Sequence, residues 1–160
     1  MLLSLHLHAQ TPGDWQFVNP TPQGNTLYGI SSLPLESFFA FGSVGTTVLS
    51  TNGGSDWEVQ HLNVYRELGI RDMEMLDQFL AFGVGDSGIG VRSTNGGTTW
   101  TPLQTGTSNT LYGASFPTPS VGYAVGGGGT IIKTTNGGDT WFPLVSGVTS
   151  TINDVHFNDT

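Results

Sequence analysis

One eight-residue phrase recurs three times along the chain. It reads Ser50-Thr51-Asn52-Gly53-Gly54-Ser55-Asp56-Trp57, then Ser93-Thr94-Asn95-Gly96-Gly97-Thr98-Thr99-Trp100, then Thr134-Thr135-Asn136-Gly137-Gly138-Asp139-Thr140-Trp141. The tryptophans stand 43 and 41 residues apart, and a worn copy, Thr11-Pro12-Gly13-Asp14-Trp15, precedes the first by 42. A fixed period near forty marks a repeat architecture, in which each unit buries its apolar face only against its neighbours.

Superposing the copies separates four short strands per unit. The first strands begin at Leu27, Ile70, Leu111 and Ile152. The second are Phe39-Ala40-Phe41-Gly42, Leu80-Ala81-Phe82-Gly83 and Tyr123-Ala124-Val125-Gly126, whose small residues suit a strand pressed between neighbouring sheets. In this alignment the second unit carries two extra residues within Gly83–Gly88, which predicts a bulged turn there. The third strands are Thr46–Leu49, Ile89–Arg92 and Thr130–Lys133, and the fourth open at each Trp. Between them the Asn-Gly pair predicts a hairpin with both residues at positive φ. The Ser/Thr and Asn side chains can bond the turn backbone. Each Trp offers a large apolar surface, predicted to lie against the neighbouring unit.

Composition agrees. The 24 glycines in 160 residues are about twice the usual ~7%, and charged residues, at 10%, fall well below the usual ~25%. Aromatics at 11% argue against disorder. The net charge of −8 sets twelve acids against Arg66, Arg71, Arg92 and Lys133. Four scattered cations cannot neutralise a run of phosphates or hold an anionic lipid surface, so nucleic acid and a polybasic membrane attachment are excluded as partners. The absence of cysteine excludes disulfides and thiolate metal sites. No apolar run approaches the ~20 residues of a membrane span. Residues 1–10, leucine-rich with Ala9 before Gln10 but without a basic start, predict the remnant of a signal peptide and an exported protein.

Four antiparallel strands every forty-odd residues describe a blade of a β-propeller. The predicted fold is all-β: a partial propeller over 11–160, with blades at about 25–62, 66–104 and 109–146 and lone strands at 14–19 and 151–157. A closed ring needs at least four blades, so the chain reads as a piece of a larger propeller. The repeated phrase resembles the Asp-box, or bacterial neuraminidase repeat, Ser/Thr-x-Asp-x-Gly-x-Thr-Trp. The wider text, clearest over 109–144, is similar to the photosystem II stability and assembly factor class of propellers. The structural turn residues implied are Ser50, Asn52, Gly53, Gly54 and Trp57; Ser93, Asn95, Gly96, Gly97 and Trp100; Thr134, Asn136, Gly137, Gly138 and Trp141. All three boxes carry Asn where the family favours Asp, which keeps the turn-forming oxygen and drops the charge.

The resemblance implies either an interaction scaffold or a glycoside hydrolase. Sialidases of this class carry an early Phe/Tyr-Arg-Ile-Pro phrase and three arginines from different blades. This chain has no such phrase, and Arg66, Arg71 and Arg92 fall within one repeat. Xyloglucan-cleaving relatives need two opposed carboxylates, for which Asp72 and Asp154 are candidates by type. Both occupy a repeat position held by Gly29 and Gly113 elsewhere. Gly83–Gly88 has neither the helix and Lys of a phosphate cradle nor the alternating oxygens of a calcium loop. His61 and His156 stand singly, and no nucleophile elbow is present. No catalytic residue, metal site or cofactor is therefore assigned. Tyr28 and Tyr112, equivalent by repeat, are expected to pack.

The expectation is a non-enzymatic, exported or cell-surface scaffold for a protein or glycan. Arg71, Asp72, Glu74, Asp154 and His156 are its candidate ligand-facing residues. A glycoside hydrolase with catalytic residues partly outside this chain is the alternative. The resemblance to photosystem II assembly factors extends to possible photosystem partners, but those proteins are associated with an Arg-rich face that this acidic chain lacks.

Overall fold

The computed structural model describes residues 24–33, 37–62 and 64–157. They form twelve strands in three separate four-stranded antiparallel sheets. The first sheet holds β1 (Leu27–Leu33), β2 (Ser37–Gly42), β3 (Thr46–Ser50) and β4 (Glu58–His61) in chain order. The second holds β5 (Ile70–Met75), β6 (Ala81–Gly85), β7 (Gly90–Ser93) and β8 (Thr101–Leu103). The third holds β9 (Leu111–Ser115), β10 (Gly122–Gly126), β11 (Ile131–Thr134) and β12 (Phe142–Leu144). These are sheets of the blade type, and among the described residues they do not close into a ring. Residues 151–157 join no sheet ladder; Ile152 N donates to Gly126 O at 3.1 Å. The expected strand 14–19, the worn Trp15 copy and residues 1–10 lie outside the described residues.

The register corrects one sequence expectation. Leu27, Ile70 and Leu111 pair with Gly42, Gly85 and Gly126, so those three glycines are equivalent, and each stands at the same distance before its box asparagine. The second blade therefore has no extra residues. Ala81-Phe82-Gly83-Val84-Gly85 offers two small-apolar-Gly frames two residues apart, and residues two apart lie on the same face of a strand. Text alone fits either frame; the hydrogen-bond ladder selects the second. Gly83–Gly88 is then the end of β6 followed by the same tight turn that the other blades make. In that turn Val44 and Gly45, Ser87 and Gly88, and Gly128 and Gly129 are all left-handed, with φ between 56° and 72°. Two consecutive left-handed residues match the right-handed twist of the flanking strands.

Two apolar cores lie between sheets. Phe39, Phe41 and Leu62 of the first unit meet Ile70, Met73, Ala81, Ile89, Val91 and Trp100 of the second. Phe82, Val84 and Leu103 of the second meet Leu111, Ala114, Phe116, Ala124, Ile132 and Trp141 of the third. Trp100 and Trp141 are 6% and 9% exposed, as their predicted wedge position requires. Trp57 departs from it: it is 37% exposed, and among the described residues its ring partner is Phe38 of its own sheet, at 6.2 Å.

Candidate functional site

The box residues build corners. In the second box Asn95 Oδ1 accepts from Ser93 Oγ at 3.0 Å and Thr99 N at 2.9 Å, while its Nδ2 donates to Thr99 Oγ1 at 2.8 Å. Ser93 Oγ in turn accepts from Gly97 N at 2.8 Å. Thr134, Asn136, Gly138 and Thr140 repeat this network in the third box, and Ser50, Asn52 and Gly54 with Asp56 do so in the first. The left-handed pair in each corner is Gly53 and Gly54, Gly96 and Gly97, or Gly137 and Gly138; the asparagines are not left-handed. This corrects the expected hairpin: Asn contributes its side chain, and both unusual backbone conformations fall to glycine. Gly97 is doubly constrained, since a Cβ there would also stand 2.5 Å from the Phe39 ring of the preceding sheet. Trp100 Nε1 donates to Gly97 O at 2.9 Å. These atoms are occupied in holding the fold.

The first strands of the three sheets run side by side and line a cavity of about 540 Å³ together with residues 154–156. All five sequence-nominated residues, Arg71, Asp72, Glu74, Asp154 and His156, line it, as do Tyr28, Ile30, Ser31 and Ser32 of β1. Each first strand carries a bulge at the same place. The ladder skips Tyr28, Arg71 and Tyr112, which sit between paired neighbours. A bulge re-aims the side chain of its extra residue. The tyrosines are 39% and 37% exposed, so the expectation that they pack is wrong. Tyr28 lies under the Arg71 guanidinium, 4.4 Å from ring centroid to Cζ. Across the bulge, the missing side chain of Gly29 leaves the floor to Phe41, whose ring a Cβ would meet at 2.5 Å.

The acids of β5 point along the groove and into the next sheet. Asp72 Oδ1 accepts from its neighbour Met73 N at 2.8 Å, and Oδ2 accepts from Ala114 N of β9 at 2.8 Å. Glu74 Oε2 accepts from Phe116 N at 2.6 Å. Ser115 Oγ repeats the device one unit on, accepting from Phe157 N at 3.3 Å. These three bonds to the following unit span 42 residues each, so they are part of the repeat. Asp154, at the Asp72 position, accepts from Val155 N at 2.7 Å and is exposed. Burial pushes the Asp72 carboxyl above the ordinary aspartate value; its two N–H bonds oppose that rise and the nearby Asp154 charge adds to it. Arg71 Nε pairs with Asp86 Oδ1 at 2.7 Å, and this bond holds the guanidinium more firmly protonated against the opposing effect of burial. Asp86 also accepts from Gly69 N at 2.9 Å. It occupies the turn that sequence reasoning set aside, and the signal for it was an acid where the other blades carry Ser43 and Gly127.

Among the described residues, no three His, Asp or Glu side chains gather as a metal site, and no helix is long and apolar enough to cross a membrane. No protein-family model matches the chain, and no curated protein matches it. Solved structures do. A structure of YCF48 bound to D1 peptide aligns with a TM-score of 0.72 at 18% identity, covering 81% of this chain and 44% of that one. YCF48 from Cyanidioschyzon merolae aligns at 0.68 and 21% identity, covering 81% and 42%. An ancestral GH74 enzyme aligns at 0.63 and 17% identity, covering 81% and 19%. The chain thus spans less than half the length of the YCF48 structures it matches. At these identities the likeness is one of fold: the three sheets are arranged as consecutive blades are in those proteins.

Proposed function

We propose that the chain is a non-enzymatic interaction scaffold that holds an extended segment of a partner protein in the first-strand groove. The observation that carries this reading is the state of Asp72. Both of its carboxylate oxygens accept backbone N–H groups, one of them from the next sheet, so the residue acts as a structural tie. The groove itself is open, with exposed aromatic and aliphatic side chains on one wall. That YCF48 has been seen with a bound peptide supports a polypeptide as ligand. The leucine-rich start of the chain supports an exported setting.

A glycoside hydrolase is the second reading, favoured by one observation: Asp72 and Asp154 face the same cavity. One experiment separates the two. Purified chain is assayed on xyloglucan, mixed-linkage β-glucan and a sialoside, and its binding to an array of extended peptides is measured with and without Ser31→Trp, which fills the groove. The scaffold reading expects no turnover and peptide binding that Ser31→Trp removes. Turnover abolished by Asp72→Asn or Asp154→Asn in a folded variant establishes the hydrolase instead. Peptide binding indifferent to Ser31→Trp puts the site elsewhere.

A further inference from the structure

We infer that the first box is a site of spontaneous covalent modification: Asn52 converts to aspartate and isoaspartate through attack by the Gly53 amide nitrogen, ahead of its two counterparts. The inference is independent of any ligand in the groove. All three boxes read Thr-Asn-Gly-Gly, at 51–54, 94–97 and 135–138, so the reacting groups and their nearest neighbours are chemically the same. Glycine after asparagine favours this reaction, because no Cβ crowds the attacking nitrogen and the backbone turns freely. The nitrogen gives its proton to hydroxide and bonds to Asn Cγ. The Cγ–Nδ2 bond breaks, water returns a proton to the departing nitrogen, and ammonia leaves. The five-membered imide then adds one water. Opening at Cγ leaves aspartate; opening at the main-chain carbonyl carbon leaves isoaspartate. No oxidant or reductant takes part.

The fold sets the three apart. In each box the Asn side chain is bonded into the turn, so the corner must open before Cγ and the next nitrogen can meet. The second and third corners are clamped against that opening. Their attacking nitrogens, Gly96 N and Gly137 N, donate to Phe79 O and Ser120 O, both at 2.9 Å. Asn95 N and Asn136 N donate to Ser93 Oγ and Thr134 Oγ1, both at 3.3 Å. The preceding sheet covers each: the Phe39 ring lies against Gly97, and Arg92 Nη1 donates to Gly137 O at 2.8 Å. Among the described residues none of these clamps recurs at the first box. Gly53 is exposed, where Gly96 is half-buried and Gly137 buried, and Trp57 is likewise the most exposed of the three box tryptophans. The leaving nitrogen, Asn52 Nδ2, donates to Asp56 Oδ2 at 2.9 Å, where the other boxes offer a Thr hydroxyl. The aspartate product therefore sets a second carboxylate against Asp56, and the isoaspartate product adds a carbon to the main chain of the corner. Either loosens the first corner and leaves the other two intact.

The test incubates the full chain in mildly alkaline buffer at physiological temperature, with its circular dichroism followed to show that it stays folded. Samples are digested over time, and mass spectrometry scores the amide-to-acid change in the peptide from each box. Synthetic aspartyl and isoaspartyl peptides identify the products by their retention. The first box is expected to convert about tenfold faster than either of the others, the barrier difference that one lost amide hydrogen bond makes. A parallel incubation in concentrated urea removes the clamps, and there the three boxes should convert at a common rate. Equal rates in the folded chain overturn the inference. A first box that leads in urea as well overturns it too, because the order then comes from flanking residues and not from the fold. Conversion in urea with none at any box of the folded chain overturns it by showing the first corner as closed as the rest.

Discussion

The corners of the sheets and their first strands obey opposite rules. In the corners, Ser or Thr, Asn and two glycines recur in the same bonds three times over, and the Ser or Thr and Asn side chains are spent inside the turn. Along the first strands the backbone repeats, down to a bulge at the same step, while the side chains change from Tyr28 to Arg71 to Tyr112 and from Gly29 to Asp72 to Gly113. Sameness in the corners reflects a geometry that few residues satisfy. Variation along the groove reflects a surface the fold leaves unspecified, and it is there that a partner can be recognised.

The largest test of this contrast is within the corners. Trp100→Ala removes a buried ring packed 5.7 Å from Phe39 and should cost about 3–5 kcal/mol in urea unfolding. Trp57→Ala, at a half-exposed ring, should cost less than half of that. Equal losses would show that burial between sheets is not what the box tryptophan contributes.

A smaller effect asks why every box holds Asn. Asn52 Nδ2 donates to Asp56 Oδ2 at 2.9 Å, whereas Asn95 Nδ2 donates to Thr99 Oγ1, a hydroxyl that can reverse its role. Asn52→Asp sets two carboxylates together and should lower stability by about 0.5–1 kcal/mol, while Asn95→Asp should be close to neutral. Thermal melts of the two variants decide it; a neutral Asn52→Asp removes the local reason for Asn in the first box.

The smallest effect separates two acids by pH. Asp72 has its pKa raised, chiefly by burial, so the folded state holds its proton more tightly and this group's contribution to stability falls as pH rises from the ordinary aspartate value through the raised one. Exposed Asp77 accepts from Leu80 N and Phe79 N, which lower its pKa. Its contribution is present above the ordinary value and is lost as pH falls through the lowered one. Relative to Asp72→Asn, the parent should lose stability across the first window as pH rises; Asp77→Asn should show the reverse trend in the second. Parallel profiles would sink the assignment of Asp72 to a desolvated wall.

Much of the architecture was legible because it depends on local chemistry repeated in phase: the boxes, the four-strand unit and the first-strand position of Asp72 all came from spacing, whereas 151–157, expected as a lone strand around Asp154, joins no ladder. What escaped depended on pairing. The frame of β6 was ambiguous because Ala81, Gly83 and Gly85 alternate small residues, and only the ladder to β5 resolves it. The bulges carry no text signature, so exposed Tyr28 and Tyr112 looked like core. The turn at Val44 was hidden because a β-branched residue is disfavoured at φ 57° and no turn rule nominates it. At the candidate site the residue types were readable, while the bonds from Asp72 and Glu74 to the following sheet join residues 42 apart and required the fold.

Those cross-sheet ties end on amide hydrogens, and every amino acid except proline supplies one. A duplicated or shuffled unit could therefore dock onto its predecessor whatever its own side chains are, provided its opening strand arrives at the right height. A lineage built this way can lengthen by whole modules and reinvent its interior lining without renegotiating the joints.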